Sequence, residues 1–212
     1  MLKRTHMCGQ LRESDAGSSA TLCGWVNTYR DQGKGLVFID LRDRSGLTQI
    51  VFDQEDVPDD VMEQSRGLRR EDVIAVSGTI RVRDGGPNPK LDTGAIELVG
   101  TTLECLNSTE NPPILPDDHD ADKIDEEIRL RHRYIDLRRP RMQSILGLRS
   151  EVTRHTRNFF AEHGFLEVET PLLIRSTPEG ARDFIVPSRM YPGQWYALPQ
   201  SPQLFKQILM VS

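Results

Sequence analysis

The first half of the chain contains short runs in which apolar and polar residues alternate, as they do in β-strands with one buried face. We predict strands over residues 21–30, 36–42, 47–52, 73–83 and 95–106, with a polar helical stretch at 58–68. Three strands, a helix and two strands is the order of an OB-fold, a small Greek-key barrel that binds oligonucleotides. The pattern also fits other small barrels.

In the last third of the chain the apolar residues recur three and four positions apart, which is the period of a helix. Over residues 141–163 the residues that carry this period are Ile145, Leu148, Val152, Phe159 and Phe160. We predict one helix here, ended by Gly164. A strand is predicted over 165–173, and Pro171 places it at a sheet edge or bends it, because proline lacks an N–H group.

A second helix is predicted near the end of the chain. Ser201 is a good N-cap residue, and Pro202 suits the first helical position. Gln203 and Lys206 are three residues apart and therefore share a face. The free N–H groups of a helix start favour an anion and Lys206 adds a full charge, so this segment suits the binding of a carboxylate. The apolar residues assigned to the buried side of this helix are Leu204, Ile208 and Leu209.

The charge of the chain divides it into three parts. The net charge of −5 argues against a general nucleic-acid binder, but it is −4 over residues 1–106, −7 over 107–128 and +6 over 129–212. Prolines and like charges make 107–128 an exposed linker. Five arginines follow in residues 129–140, which form either a solvated basic face or a contact with the RNA backbone.

Several classes of protein are excluded by composition. The N-terminus lacks the apolar run of a signal peptide, and no stretch is long and apolar enough to span a membrane. The three cysteines are odd in number and form no CxxC pair, so we expect neither a metal site nor a disulfide framework. A reducing cytoplasm fits this cysteine usage best.

One face of the predicted barrel has the residue types that bind single-stranded RNA. Alternation in residues 36–42 places Phe38 on the polar face, and alternation in residues 73–83 places Arg81 and Arg83 together. Bases stack on an exposed aromatic ring while guanidinium groups hold phosphates or base edges. These residues alone are equally compatible with a packed phenylalanine and solvated arginines.

The sequences Cys-Gly-Trp-Val-Asn-Thr-Tyr-Arg-Asp at 23–31 and Val-Phe-Ile-Asp-Leu-Arg-Asp at 37–43 closely resemble the anticodon-binding OB-fold of bacterial-type aspartyl-tRNA synthetases. The resemblance implies that six residues contact the anticodon, namely Arg30, Phe38, Gln49, Arg81, Arg83 and Glu97. The chain departs from the family pattern in the loops at 32–35 and 85–88. The choice between the aspartate tRNA and the asparagine tRNA therefore stays open.

The resemblance continues to the end of the chain. The helix at 141–163 and the following Gly-Phe-Leu-Glu-Val-Glu-Thr-Pro resemble motif 1 of class II synthetases, which implies that Pro171 lies at a dimer interface. The sequence at 176–184 resembles a mobile loop over the amino acid, in which Glu179 faces the substrate ammonium. The sequence at 198–207 resembles the aspartate-recognition segment, with Gln203, Lys206 and Ser201 as binding residues.

We therefore expect an α+β protein. An OB-fold barrel over residues 1–106 and a hinge over 107–140 precede the start of a class II antiparallel-sheet catalytic domain over 141–212. The implied activity is aspartate–tRNA ligation, with aspartate, ATP, Mg²⁺ and tRNA(Asp) as reactants or partners, and a homodimer as the assembly. Motifs 2 and 3, which bind ATP in this class, do not occur in the sequence. The 212 residues alone are therefore expected to be inactive.

Two alternatives remain open at this point. The chain could be a stand-alone RNA-binding barrel without catalysis, or a relative specific for asparagine or lysine. A lysyl enzyme would need acids in its side-chain pocket, where this chain offers Lys206.

Overall fold

In the computed structural model, residues 2–110, 112–116, 123–177 and 182–212 are described. The chain divides into two units, Met1–Gly147 and Leu148–Ser212. The acid cluster at 117–122 and the predicted ammonium-binding Glu179 lie outside the described residues.

The first unit is built on a closed five-stranded barrel. Its strands are β1 (Ser19–Asp31), β2 (Leu36–Asp43), β3 (Gly46–Asp53), β4 (Val73–Val82) and β5 (Ile96–Asn107), and α1 (Asp59–Arg66) lies between β3 and β4. Antiparallel pairs join β1 to β2 and β4, β2 to β3, and β4 to β5, and a parallel pairing of β3 with β5 closes the barrel. The five predicted strands all match observed strands, with bounds that differ by at most two residues, and the predicted OB-fold is confirmed.

Alternation along the strands produces the barrel core. In β2, Val37, Ile39 and Leu41 are fully buried, while Phe38 on the opposite face is half-buried. In β4, Ile74, Val76 and Ile80 point inward in the same way. Val82 has the same parity but is 47% exposed, because it ends the strand. The inward face therefore buries the apolar surface, which leaves the outward face for polar chemistry.

The N-terminal segment packs against the β2–β3 turn. Cys8 and Leu11 are fully buried, and the Cys8 amide donates to the Asp43 carboxylate at 2.8 Å. Burial raises the pKa of the Cys8 thiol, and the adjacent Asp43 raises it further. Cys8 is therefore a small core residue, as are most buried free cysteines.

The segment after β5 packs back on the barrel through an ion pair between Arg138 and the buried Glu71. It contains α2 (Glu126–Arg131), α3 (Arg133–Asp136) and the start of α4 (Pro140–Glu162). Arg139 and Asp136 are both buried and hydrogen-bonded at 2.8 Å, and Arg138 lies 3.5 Å from the buried Glu71. Arg139 is therefore structural, and the prediction of a solvated or RNA-facing side chain is wrong for it.

The second unit contains the rest of α4, the hairpin of β6 (Phe184–Pro187) and β7 (Trp195–Leu198), and α5 (Gln203–Met210). The predicted helix at 141–163 is confirmed, and it ends at Gly164, whose φ of 80° allows the Phe165 amide to reach the Phe160 carbonyl at 3.0 Å. The predicted strand at 165–173 is absent. No described strand pairs with residues 165–173. Just beyond them, Ile174 forms an isolated bridge to Ala197.

No helix among the described residues is both long and apolar enough to cross a membrane.

Candidate functional site

The six residues expected to contact the anticodon all line one cavity of about 390 Å³ on the outer face of the barrel. We call this the barrel cavity. Its walls come from β1, β2, β3 and β5 and from the residues that end β4 and follow it. Strand pairing explains the convergence, because Arg30 lies opposite Phe38 and Arg81 lies opposite Glu97 in neighbouring strands.

Glu97 is the centre of a hydrogen-bonded network in the barrel cavity. It is 4% exposed, and it accepts a bond from the Gln49 amide at 2.8 Å and another from the Arg81 Nε at 2.9 Å. Arg83 Nε lies 4.0 Å from the same carboxylate, and Arg30 reaches Gln49 at 3.4 Å. The network orients each side chain before any ligand arrives, and preorganisation of this kind lowers the entropic cost of binding.

One donor of the network is still available. The Arg83 Nη1 atom is buried and has no hydrogen-bond partner among the described residues. A buried, unpaired donor destabilises a protein unless a ligand or water satisfies it. A ligand with an acceptor oxygen or nitrogen would satisfy the Arg83 donor.

The charges of the barrel cavity favour bases over a bare phosphate. Its lining contains equal numbers of the two charges, the guanidinium groups of Arg30, Arg81 and Arg83 and the carboxylates of Asp53, Asp84 and Glu97. A balanced set of donors and acceptors can read the edges of an unstacked base, whereas backbone binding relies on excess positive charge. The half-buried Phe38 ring supplies a surface for stacking.

Five further residues of the cavity lining were not predicted from the sequence. Gln32, Leu36, Asp53, Asp84 and Gly85 also border the barrel cavity. Two of them, Gln32 and Gly85, come from the loops where the chain departs from the family pattern. That departure was the available signal, but only the barrel closure shows that both loops meet at one site.

The residues expected to bind aspartate lie at the start of α5. Gln203 and Lys206 are exposed, and the Lys206 amide donates to the Pro202 carbonyl at 3.0 Å in the first turn. The prediction that Ser201 caps this helix is wrong, since Pro202 occupies the cap position and no side chain caps the helix. The prediction that Leu204, Ile208 and Leu209 are buried is also wrong. No described element covers them, and they are 43%, 59% and 47% exposed.

Two other predicted features can be placed. Pro171 is exposed in a segment without regular structure. Among the described residues no group of three or more histidines, cysteines or acids could hold a metal ion. All three cysteines are free thiols.

Family models match both parts of the chain. A model described as an OB-fold nucleic acid binding domain matches residues 20–106. A model described as tRNA synthetases class II (D, K and N) matches residues 125–212.

Curated relatives match along the whole chain. An aspartate–tRNA(Asp/Asn) ligase from Moorella thermoacetica is 55% identical over 212 residues, which are 100% of this chain and 34% of that protein. A protein of the same name from Salinibacter ruber is 54% identical, covering 98% of this chain and 33% of that protein. The chain thus spans about a third of the length of the relatives it matches.

Solved structures show the same fold. Asparaginyl-tRNA synthetase from Pyrococcus horikoshii, in complex with asparaginyl-adenylate, superposes with a TM-score of 0.84 at 23% identity, covering 100% of this chain and 46% of that chain. A putative aspartyl-tRNA synthetase from Leishmania major superposes with a TM-score of 0.82 at 25% identity, covering 98% of this chain and 41% of that chain.

Proposed function

Because the chain belongs to the aspartyl-tRNA synthetase family of class II tRNA synthetases, we propose that it forms part of an aspartate–tRNA ligase. In that reaction the aspartate carboxylate attacks the α-phosphate of ATP, which gives aspartyl-adenylate and pyrophosphate. The terminal hydroxyl of the tRNA then takes the aspartyl group and AMP leaves. The observation that carries the proposal is the convergence of the six expected anticodon residues on the barrel cavity.

The barrel cavity is proposed to bind the anticodon. An unstacked base lies on the Phe38 ring, and the Glu97 network reads its edge through the amide of Gln49 and the guanidinium of Arg81. The free Arg83 donor bonds an acceptor of the same or the next nucleotide. Sequence-specific RNA recognition commonly targets splayed, single-stranded bases in this way.

We further propose that both the aspartate and the asparagine tRNAs are bound. Two curated relatives above 50% identity are named as ligases for tRNA(Asp/Asn). Gln32 and Gly85 border the barrel cavity, so they are placed to influence which anticodon is accepted.

Aspartate is proposed to bind at the start of α5. Gln203 and Lys206 would hold its side-chain carboxylate, with Ser201 beside them, and Glu179 would hold the ammonium group. Such chemistry depends on positioning and electrostatics and needs no protein nucleophile. The names of the curated relatives favour aspartate over lysine or asparagine, and the match over residues 125–212 argues against a barrel acting alone.

The remaining partners follow from the family. ATP is the second substrate, a homodimer that meets near Pro171 is the proposed assembly, and the cytoplasm is the proposed location. The Mg²⁺ that normally accompanies ATP finds no cluster of ligands among the described residues.

The anticodon proposal is tested with Phe38→Ala. Loss of the stacking surface should weaken binding of an anticodon stem-loop of tRNA(Asp) by about 1–3 kcal/mol, measured by fluorescence anisotropy. Phe184→Ala removes an exposed phenylalanine of the second unit and should leave the affinity unchanged. Equal affinity of folded Phe38→Ala and parent would remove the basis for this role.

A further inference from the structure

A second cavity lies at the β2–β3 turn and has a volume of about 280 Å³. We call it the turn cavity. Three guanidinium groups line it, those of Arg42, Arg44 and Arg138, together with the ring of Trp25 and the side chain of Gln143. None of these residues lines the barrel cavity.

Positive charge exceeds negative charge in the turn cavity. Arg42 makes two bonds to the buried Glu71 carboxylate at 2.7 and 2.9 Å, and Arg138 lies 3.5 Å from that same carboxylate. One acid therefore serves two arginines. Arg138 also lies over the Trp25 ring, 4.9 Å from its centroid. Arg44 is exposed and makes no ion pair among the described residues, so its charge is unmatched.

Asp43, the acid next to Arg44 in sequence, forms no ion pair with it among the described residues. Asp43 also lines the turn cavity, but its carboxylate accepts bonds from the amides of Cys8 and Ser45 and from the Ser45 hydroxyl. The same bonds fix the turn, and Gly9 packs directly against it. Arg44 therefore projects from a rigid support.

Burial lowers the pKa of Arg138, and the like charge of Arg42 lowers it further against the opposing effect of Glu71. A bound anion would relieve this repulsion between like charges.

The two cavities lie along one face of β2. Phe38, Asp40 and Arg42 alternate with the buried residues of that strand and therefore share its outer face. Arg42 lies four positions after Phe38 in the strand, which is about 13 Å at the usual rise. An OB-fold commonly engages roughly 4–16 nucleotides of a single strand, so one RNA strand can reach both cavities.

We propose that the turn cavity binds a backbone phosphate of the RNA strand whose bases occupy the barrel cavity. Arg44 and the exposed edge of Arg138 contact the phosphate, while Glu71 and Trp25 hold Arg138 in place. The inference rests on the proposed RNA binding but concerns a separate set of residues.

The first test is Arg44→Gln in the complete 212-residue chain. Removal of one exposed charge contact should weaken stem-loop binding roughly 2- to 5-fold at low salt. It should also reduce the slope of log affinity against log salt by about one, as expected for one lost phosphate contact. Lys3→Gln removes an exposed charge that lines neither cavity, and it should change neither quantity.

The second test locates the phosphate. Single phosphates of the stem-loop are replaced by uncharged methylphosphonates, and each RNA is titrated with parent and with Arg44→Gln. One linkage, or two neighbouring ones, should weaken binding to the parent without weakening binding to the variant further. Additive effects at every linkage, or an unchanged salt slope for Arg44→Gln, would overturn the proposal.

The two proposals fail separately. If Phe38→Ala weakens binding and Arg44→Gln does not, the turn cavity is not a phosphate site and the anticodon proposal stands. If Arg44→Gln acts at one linkage while Phe38→Ala has no effect, the phosphate site stands without the stacking role of Phe38.

Discussion

Arginines of similar appearance in the sequence have different roles in the folded protein. Arg139 is 1% exposed and bonded to Asp136, so its charge stabilises the fold. Arg44 is exposed on a rigid turn, and Arg83 keeps one buried donor unpaired. The difference arises from burial and from the position of the carboxylates, which neighbours in sequence do not reveal.

Asp43 should make stability depend on pH. Burial alone raises its pKa, but bonds from the Ser45 side chain and from the amides of Cys8, Ser45 and Gly46 outweigh burial and lower the pKa below its ordinary 3.8. Because the pKa is depressed, the contribution of Asp43 to stability is complete at pH values above 3.8. It is lost as the pH falls through the pKa of Asp43 in the folded protein. Asp43→Asn should reduce the free energy of unfolding at pH 7 by about 1–3 kcal/mol.

Urea unfolding from pH 7 down to pH 2 measures this effect. The difference between parent and Asp43→Asn should shrink once the pH falls below 3.8. Asp92→Asn, at an exposed position, should show no such difference. A constant gap between parent and Asp43→Asn at all pH values would contradict the assignment.

Lys206 should distinguish aspartate from asparagine by charge, since the two amino acids have nearly the same size. Lys206→Met, made in a protein that carries the complete catalytic domain, removes the charge and keeps much of the length. We expect kcat/KM for aspartate to fall roughly 10- to 150-fold, the factor that a bond to a charged group implies. Stem-loop affinity should not change. Unimpaired aspartate activation would reduce Lys206 to an exposed surface residue.

At the scale of elements, β4 and β5 approach each other unusually closely at one point. The pairing of these strands shifts register between Ser77 and Gly78, and a Cβ on Gly78 would stand 1.9 Å from the Val99 carbonyl oxygen. Gly100 similarly accommodates the Phe52 ring, at 2.5 Å from an added Cβ. Glycines inside strands often mark such close approaches.

Gly78→Ala should therefore destabilise the barrel. The obstructing atom belongs to the backbone and cannot rotate away, so we expect a loss of about 1–3 kcal/mol, typical of an overpacked site. Gly85→Ala, where an added Cβ meets nothing within 4 Å, should stay within about 0.5 kcal/mol of the parent. Chemical denaturation of both variants measures the contrast, and equal stabilities would show that β4 and β5 can separate without loss.

At the scale of the whole molecule, the two units differ in how much apolar surface they bury. Among the described residues, Ala197 is the one buried hydrophobic residue within 148–212. Large apolar side chains there are exposed, including Leu166 at 86% and Leu172 at 79%. The first unit has the continuous core.

This difference predicts distinct behaviour of two proteins, residues 1–147 and residues 1–212. The longer protein should bind a dye for exposed apolar surface more strongly, because the second unit leaves that surface uncovered. Both should bind the anticodon stem-loop with the same affinity, since every residue of the barrel cavity belongs to the first unit. Weaker RNA binding by residues 1–147 would place part of the RNA site in the second unit.

The sequence by itself determined the barrel and the long helix α4. Alternation and helical periodicity act locally, and each strand or helix buries its apolar face in only one register. The family resemblance further singled out six residues of the barrel, from Arg30 to Glu97, before their positions in space were known.

The tertiary structure alone decided which distant residues meet. Barrel closure brings the loops with Gln32 and Gly85 to one cavity and places Glu71 between two arginines. The tertiary structure also explains why the predicted strand at 165–173 does not form, because a strand forms only where a neighbouring strand pairs with its backbone. Local patterns cannot reveal these outcomes, since each depends on a partner far away along the chain.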